Sequence, residues 1–346
     1  MKHKRIDIYI YITFLLACQS KMLFGQQLPV YTQYKLNAHV LNPAISGAHG
    51  YTTVNITTRD QWLGFKGSPN TYTLSSEWRL LKRSSGVGSG LLGMRKLQKS
   101  REGNIGAGGI VFRDVNGAVS RTGVKGAYSY HIGLYRSQLS FGMAVSLFQF
   151  KIDKDQLVFP NPNEPLLNDF RESAVTPDAA VGMYYLARNF YGGGVADQLF
   201  QSVLKIGGGE TLKDFKLFRH YYLNAGYRLI LNENYDIEPH VLMKITEPDA
   251  KGLAAKIQGL GYQSDISLQF NYRDDYWVAL SYRVSRSRGG GDVVVMGGVR
   301  YNNIYIAYSF DYTLSRIMSY SYGSHELSLG MKLGATDRRF KWIDRY

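Results

Sequence analysis

The chain has 346 residues, a formal net charge of +14, 20% charged residues and a single cysteine, a length that admits one large domain or two ordinary ones. Aromatics reach 14%, with 27 Tyr, 16 Phe and 37 Gly against 9 Pro, and the mean hydropathy is -0.23. That balance favours a long antiparallel β protein, because aromatic residues suit strands while glycine serves turns and tight interior positions. The basic residues are scattered singly, and no helix-turn-helix, zinc-finger or RNA-binding signature occurs, so nucleic acid is not an expected partner.

The first residues read as an export signal: Lys2, Lys4 and Arg5, then the apolar run IYIYITFLLA over 8–17. Cleavage after Gly25 starts the mature chain at Gln26 and sheds Cys18, leaving no thiol to oxidise in the periplasm. A competing reading takes LLAC as a lipoprotein box with Cys18 as the acylated residue. Removal of residues 1–25 takes away four basic groups and one acid and leaves the chain at +11. No later stretch approaches the ~18 consecutive apolar residues of a spanning helix. Entry into a membrane would have to be by strands.

Residues 26–50 are predicted to form a turn-rich arm, periplasmic or packed in a lumen, marked by Asn37, Asn42, Pro43 and Gly47. From 51 onward the chain falls into segments of about ten residues with period-two patterning and turn chemistry between them. Strands are predicted at 51–58, 71–80, 86–95, 104–113, 119–130, 138–149, 179–187, 189–196, 219–230, 234–244, 257–271, 275–284, 292–301, 303–312 and 324–333. That tally is odd, whereas single-chain bacterial barrels have an even number of strands. Fourteen is the corrected expectation, with 189–196 and 257–271 the two doubtful segments. Gln61, Trp62, Gly64, Gly67 and Pro69 indicate a structured turn between the first two strands. Residues 151–178, with four Pro, read as a long extracellular loop, and 195–216 as a place for a short helix.

The alternation carries the fold class. In SQLSFGMAVSLFQF, Leu139, Phe141, Met143, Val145 and Leu147 oppose Ser140, Gly142, Ala144 and Ser146; in NIYIAYSFDY, Ile304, Ile306, Tyr308, Phe310 and Tyr312 oppose Tyr305, Ala307, Ser309 and Asp311. DYWVALSYR and RHYYLNAGYRLI repeat the pattern. The pattern alone fits a soluble sandwich as well as a barrel. Coupled to export, it predicts an all-β, transmembrane, antiparallel up-and-down barrel over 51–346, its large side chains in outer-membrane lipid and its interior wet. Closure is required, since an open edge would leave backbone groups unpaired in hydrocarbon.

Signs of chemistry are weak. GSGLLG, 88–93, matches the dinucleotide fingerprint formally, but no strand-to-helix junction follows to meet a pyrophosphate, so no cofactor is expected. Ser324, His325 and Glu326 are adjacent on a strand, where neighbours point to opposite faces, so they cannot converge as a catalytic set. No HExxH, CxxC or calcium-loop pattern supports a metal. The expectation is a non-enzymatic protein.

Several segments, taken together and in order, resemble the PorP/SprF family of Bacteroidetes outer-membrane proteins. They are YTQYKLNAHVLNPAISGAHGY, RDQWLGFKGSPNTYTLS, RHYYLNAGYRL, GDVVVMGGVRY and FDYTLSRIMSYSYGSHELSL. The most specific parts are Leu41, Asn42, Pro43 and Ala44; then Arg59, Gln61, Trp62, Gly64, Gly67 and Pro69; and the closing Gly323, Ser324, His325 and Glu326. The tail GATDRRFKWIDRY runs past the expected last strand, which leaves the assembly signal at either SHELSLGMKL or Tyr346.

The resemblance implies an outer-membrane barrel of type IX secretion without catalytic activity, helping to export or anchor a cell-surface protein such as a gliding adhesin, and associating with periplasmic secretion components. The motif residues around Asn42 and Trp62 are the expected structured periplasmic docking elements, and the loop near 160–177 the outward contact. The alternative is a passive channel for small anions, favoured by lumen-facing Arg121, Lys125, Arg228 and Arg283.

Overall fold

The computed structural model describes residues 31–80, 104–153, 156, 173–201, 203–204, 215–247, 261–285 and 290–334. Fourteen antiparallel strands close into one barrel: β1 Thr52–Asp60, β2 Asn70–Leu80, β3 Ile105–Asn116, β4 Val119–Leu134, β5 Ser137–Ile152, β6 Ser173–Ala187 and β7 Phe190–Asp197 form the first half. The second half is β8 His220–Tyr227, β9 Tyr235–Thr246, β10 Gly261–Tyr272, β11 Tyr276–Ser285, β12 Gly290–Tyr301, β13 Ile304–Thr313 and β14 Ser324–Leu333. Each strand pairs with its sequence neighbours, and β1 closes on β14 through the pairs Thr52 with Leu333 to Asp60 with His325. Every strand has a paired neighbour on both sides, which is the condition for crossing lipid.

Both doubtful segments are wall strands, β7 and β10. The predicted strand at 86–95 lies outside the described residues, and β2 pairs directly with β3, so the barrel closes without it. The GSGLLG run and residues 1–30, with Cys18, also lie outside them.

Alternation sorts the side chains as lipid and lumen require. Phe141, Val278 and Ile306 are 45%, 60% and 45% exposed on the outer face, whereas Ser140, Ala279, Ala307 and Asp311 are buried on the inner one. β8 is interrupted at Arg228 and continues as Leu229–Ile230 along β9. The pairing with β9 lapses over Tyr227 and Arg228, opposite Pro239 and Glu238, and Pro239 has no N–H to donate to a ladder.

Two expectations are corrected. The loop predicted over 151–178 ends sooner, because β6 begins at Ser173 and contains Pro177, paired with Leu147. β6 pairs β7 only over 181–186, so Pro177 sits where one edge of the strand lacks a ladder partner, a position that tolerates proline. No helix occupies the described part of 195–216: Val195–Asp197 end β7, and Val203–Leu204 pairs with Phe215–Lys216 as a small separate ribbon.

One rim carries the start of β1, the end of β14 and the short connections 135–136, 188–189, 231–234, 273–275 and 302–303, together with the longer 81–104. The other carries the longer 61–69, 153–172, 198–219, 247–260 and 314–323, with two short connections, 117–118 and 286–289. Barrels of this kind turn short hairpins to the periplasm and long loops outward. By that rule the rim with the start of β1 and the end of β14 faces the periplasm.

Candidate functional site

The lumen holds residues 31–50. The chain enters β1 from the periplasmic rim, yet Tyr31 lies toward the loop-bearing end, its hydroxyl 2.9 Å from Thr73 Oγ1. The arm thus runs the length of the interior, and its two halves are held differently.

The first half is gripped by charge. Glu326 of β14 accepts the backbone amides of Thr32 at 2.7 Å and Gln33 at 2.8 Å, and Thr32 Oγ1 donates to Asp311 of β13 at 2.9 Å. Arg59 of β1 bridges Asp311 at 2.7 Å and Glu326 at 3.2 Å. Arg283 of β11 completes the net, 2.8 Å from Asp311 and 2.9 Å from Asp265. One turn further, Lys35 pairs with Glu238 at 2.8 Å. Arg59, Arg283, Asp311 and Glu326 are all at most 3% exposed. In such a dry setting each charge needs its partners, since an unpaired buried ion is costly.

The second half is gripped by shape. Asn42 caps the 3₁₀ turn Pro43–Ile45 by accepting the Ala44 amide at 2.9 Å, and its amide nitrogen donates to Met183 O of β6 at 3.1 Å. Asparagine followed by proline suits this start, since proline at the first position loses no hydrogen bond. Where the wall comes nearest this turn it is glycine. A Cβ at Gly142 would strike the Pro43–Ala44 backbone, one at Gly182 or Gly193 would strike Asn42, and one at Gly106 would strike Ser46 O. Ser129 Oγ donates to Ser46 O at 2.6 Å, the Gly47 amide donates to Glu77 at 2.9 Å, and Gln138 Nε2 donates to Ala48 O at 3.2 Å. Ala44, Ile45, Ser46 and Ala48 are between 0% and 2% exposed.

The predicted turn after β1 is ordered and braced on both sides. Its own bonds run from the Gln61 amide to Pro69 O at 2.8 Å and from the Ser68 amide to Phe65 O at 3.0 Å. Toward β14, the Leu63 amide donates to Gly323 O and the Tyr322 amide to Leu63 O, both at 2.8 Å, and the Trp62 amide donates to Ser324 Oγ at 3.1 Å. Toward the hairpin between β3 and β4, the Gly117 amide donates to Gly67 O at 3.1 Å. Gly64, at φ +91°, lies under the Tyr322 ring, where any Cβ would collide.

The sequence motifs therefore meet across the closing seam. Arg59 contacts Glu326, and the Trp62 turn contacts Gly323 and Ser324. His325 points outward, 2.6 Å from the Tyr308 hydroxyl, while Glu326 points in, so Ser324, His325 and Glu326 do not converge. The Trp62 turn sits on the loop-bearing rim with 153–172, not on the opposite side, because it joins the far ends of β1 and β2. Asn42 and Arg59 are buried and hold the arm instead of presenting a docking surface; within the rim motif, Gly64 and Gly67 lie in the exposed stretch 63–67. The acids that complete the grip, Asp265, Asp311 and Glu238, were not singled out from the sequence. Their inner-face positions in alternating strands are the signal that could have found them.

The cations proposed to favour anions are engaged. Lys125 pairs with Asp197 at 3.3 Å, Arg228 with Asp236 at 2.5 Å and Asp274 at 2.6 Å, and Arg121 stacks 4.1 Å from the Phe148 ring centroid.

Such a barrel, with a lumen filled from its own N-terminal side, defines a membrane protein of outer-membrane type. The family model of the type IX secretion system membrane protein PorP/SprF matches residues 23–331, and the chain belongs to that family. A search of curated proteins finds no match. Among solved structures, the chain is similar to the toluene transporter TbuX of Ralstonia pickettii, with 8% identity, a TM-score of 0.46 and coverage of 86% of this chain and 92% of that one. It is also similar to a FadL homologue of Pseudomonas aeruginosa, with 9% identity, a TM-score of 0.45 and coverage of 90% and 96%. Likenesses at this level decide nothing about a substrate.

Proposed function

We propose that the barrel works by binding, as a closed platform of the type IX system that holds an exported surface protein at the outer face of the membrane. The observation that carries this reading is the pairing of a filled lumen with a braced rim. The arm occupies the interior along its length, and beside it the rim turn holds Leu63 and Phe65 at 44% and 47% exposure, next to Tyr320 and Tyr322 at 75%. Exposed apolar groups on a rigid frame lose little entropy on binding, which is what a protein-docking patch needs. Periplasmic components of the system would meet the opposite rim, with its short hairpins.

Replacing Phe65 with Asp tests the reading in cells. Surface display of the cognate exported protein should fall several-fold, while the amount of heat-modifiable barrel in the outer membrane stays normal. Full display with Phe65→Asp and Leu63→Asp combined would refute the docking patch. In planar bilayers the unaltered barrel should be silent; steady anion-selective conductance would favour the channel instead.

A further inference from the structure

Arg113 of β3 and Lys151 of β5 are the two lysine or arginine residues that the described wall strands turn to the outer face, and both stand near the loop-bearing rim. Pairing places them in neighbouring rows of that face. Arg113 is opposite Thr122 of β4, which is opposite Gln149 of β5; one row nearer the rim, Ser120 of β4 is opposite Lys151. One row nearer the periplasm the face is apolar, with Val111, Val124 and Leu147 at 50%, 52% and 50% exposure.

The change of character falls at a definable height. Along β4 the outer face carries no charge from Leu134 to Val124. On a strand tilted about 40° that run rises about 26 Å, the height of the apolar band of an outer-membrane barrel. The row of Arg113 and Thr122 therefore begins where lipid headgroups begin. A cation on the outer face is costly at mid-bilayer and tolerated at that level, where it meets anionic headgroups.

Both cations are exposed, and neither makes an ion pair or hydrogen bond among the described residues. The outward carboxylate of the described strands, Asp60 on β1, lies two strands from Arg113 on the side away from Lys151. Asp153, just past β5, accepts from Gln156 Nε2 at 2.9 Å. Ser120 and Thr122, on the strand between the cations, add hydroxyls that can donate.

From this we infer a binding site on the outer wall for an anionic, phosphate-bearing lipid of the outer leaflet. Its phosphate would lie between Arg113 and Lys151, over the hydroxyls of Ser120 and Thr122, and its acyl chains along the apolar rows of β3 to β5. Strand spacing and rise put the two cationic residues about 12 Å apart at Cα, close enough for both long side chains to meet one phosphate. The apolar rows directly beneath commit the site to a lipid, since a free phosphate gains nothing from them.

Calorimetry on the intact barrel in a neutral detergent tests this, using short-chain phosphatidic acid, diacylglycerol of the same chains, and inorganic phosphate. Saturable binding of phosphatidic acid is expected, at least about tenfold tighter than of either other probe. Arg113→Gln and Lys151→Gln should each weaken it about fivefold, and the two together should bring it to the level of diacylglycerol. Arg136→Gln, which removes a cation from the periplasmic hairpin 135–136, should leave it unchanged. Equal binding of phosphatidic acid and diacylglycerol, no saturation, or a loss with Arg136→Gln as large as with Arg113→Gln would overturn the site. Inorganic phosphate binding as tightly as phosphatidic acid would overturn the lipid as its occupant. Should the double variant fail to assemble, Lys151→Gln decides: undiminished affinity there overturns the site as well.

Discussion

The two halves of the arm occupy one lumen and are retained by opposite means. Residues 32–35 are held by carboxylates and guanidinium groups from six strands, whereas residues 42–48 lie in a hollow made by glycines and lined with backbone bonds. The first arrangement is strong only while every charge has its partner; the second depends on what is absent from the wall. Charge therefore decides whether the upper half stays, and volume decides whether the lower half fits.

The largest effect should come from Glu326→Ala, which removes the acceptor of two amides and leaves Arg59 short of a partner, at about 3–5 kcal/mol. Hydrogen exchange of peptides covering 31–36 should accelerate while those covering 42–48 stay protected. Uniform exposure of both would show that the halves are one unit. The reverse experiment is Gly142→Val, which forces a side chain against Pro43 and Ala44 and should cost about 1–3 kcal/mol through overpacking. Here the peptides at 42–48 should lose protection first.

Asn42→Ala sharpens the comparison by removing a cap and a bond without adding volume. A loss of about 1–2 kcal/mol of unfolding free energy, read from the shift in denaturation midpoint, is expected, with both halves still in place. His325→Phe serves as the outward control, changing a side chain that touches Tyr308 on the lipid-facing side, and should stay within about 0.5 kcal/mol.

How much of this was legible follows from distance along the chain. Period-two alternation in segments such as 138–149 and 303–312 revealed the wall and its two faces, because that signal is local. The arm announced itself by Asn37, Asn42, Pro43 and Gly47, and those residues do make the turns expected of them. What grips it was hidden: Arg59 meets Asp311, and Thr32 meets Glu326, across the barrel closure, a juxtaposition that only the finished ring creates. That the Trp62 turn shares a rim with 153–172 likewise depends on strand direction in the closed ring and not on the residues of the turn. Pro177 inside β6 was misread as loop because the strand's bare edge at that point is a property of its neighbour β7, which is too short to reach it.

The arm runs against the direction of β1. Although it joins the wall at the periplasmic rim, its first described residue, Tyr31, stands among Thr73, Arg121 and Asp178, close to the opposite opening. The polypeptide doubles back through the pore before it becomes wall.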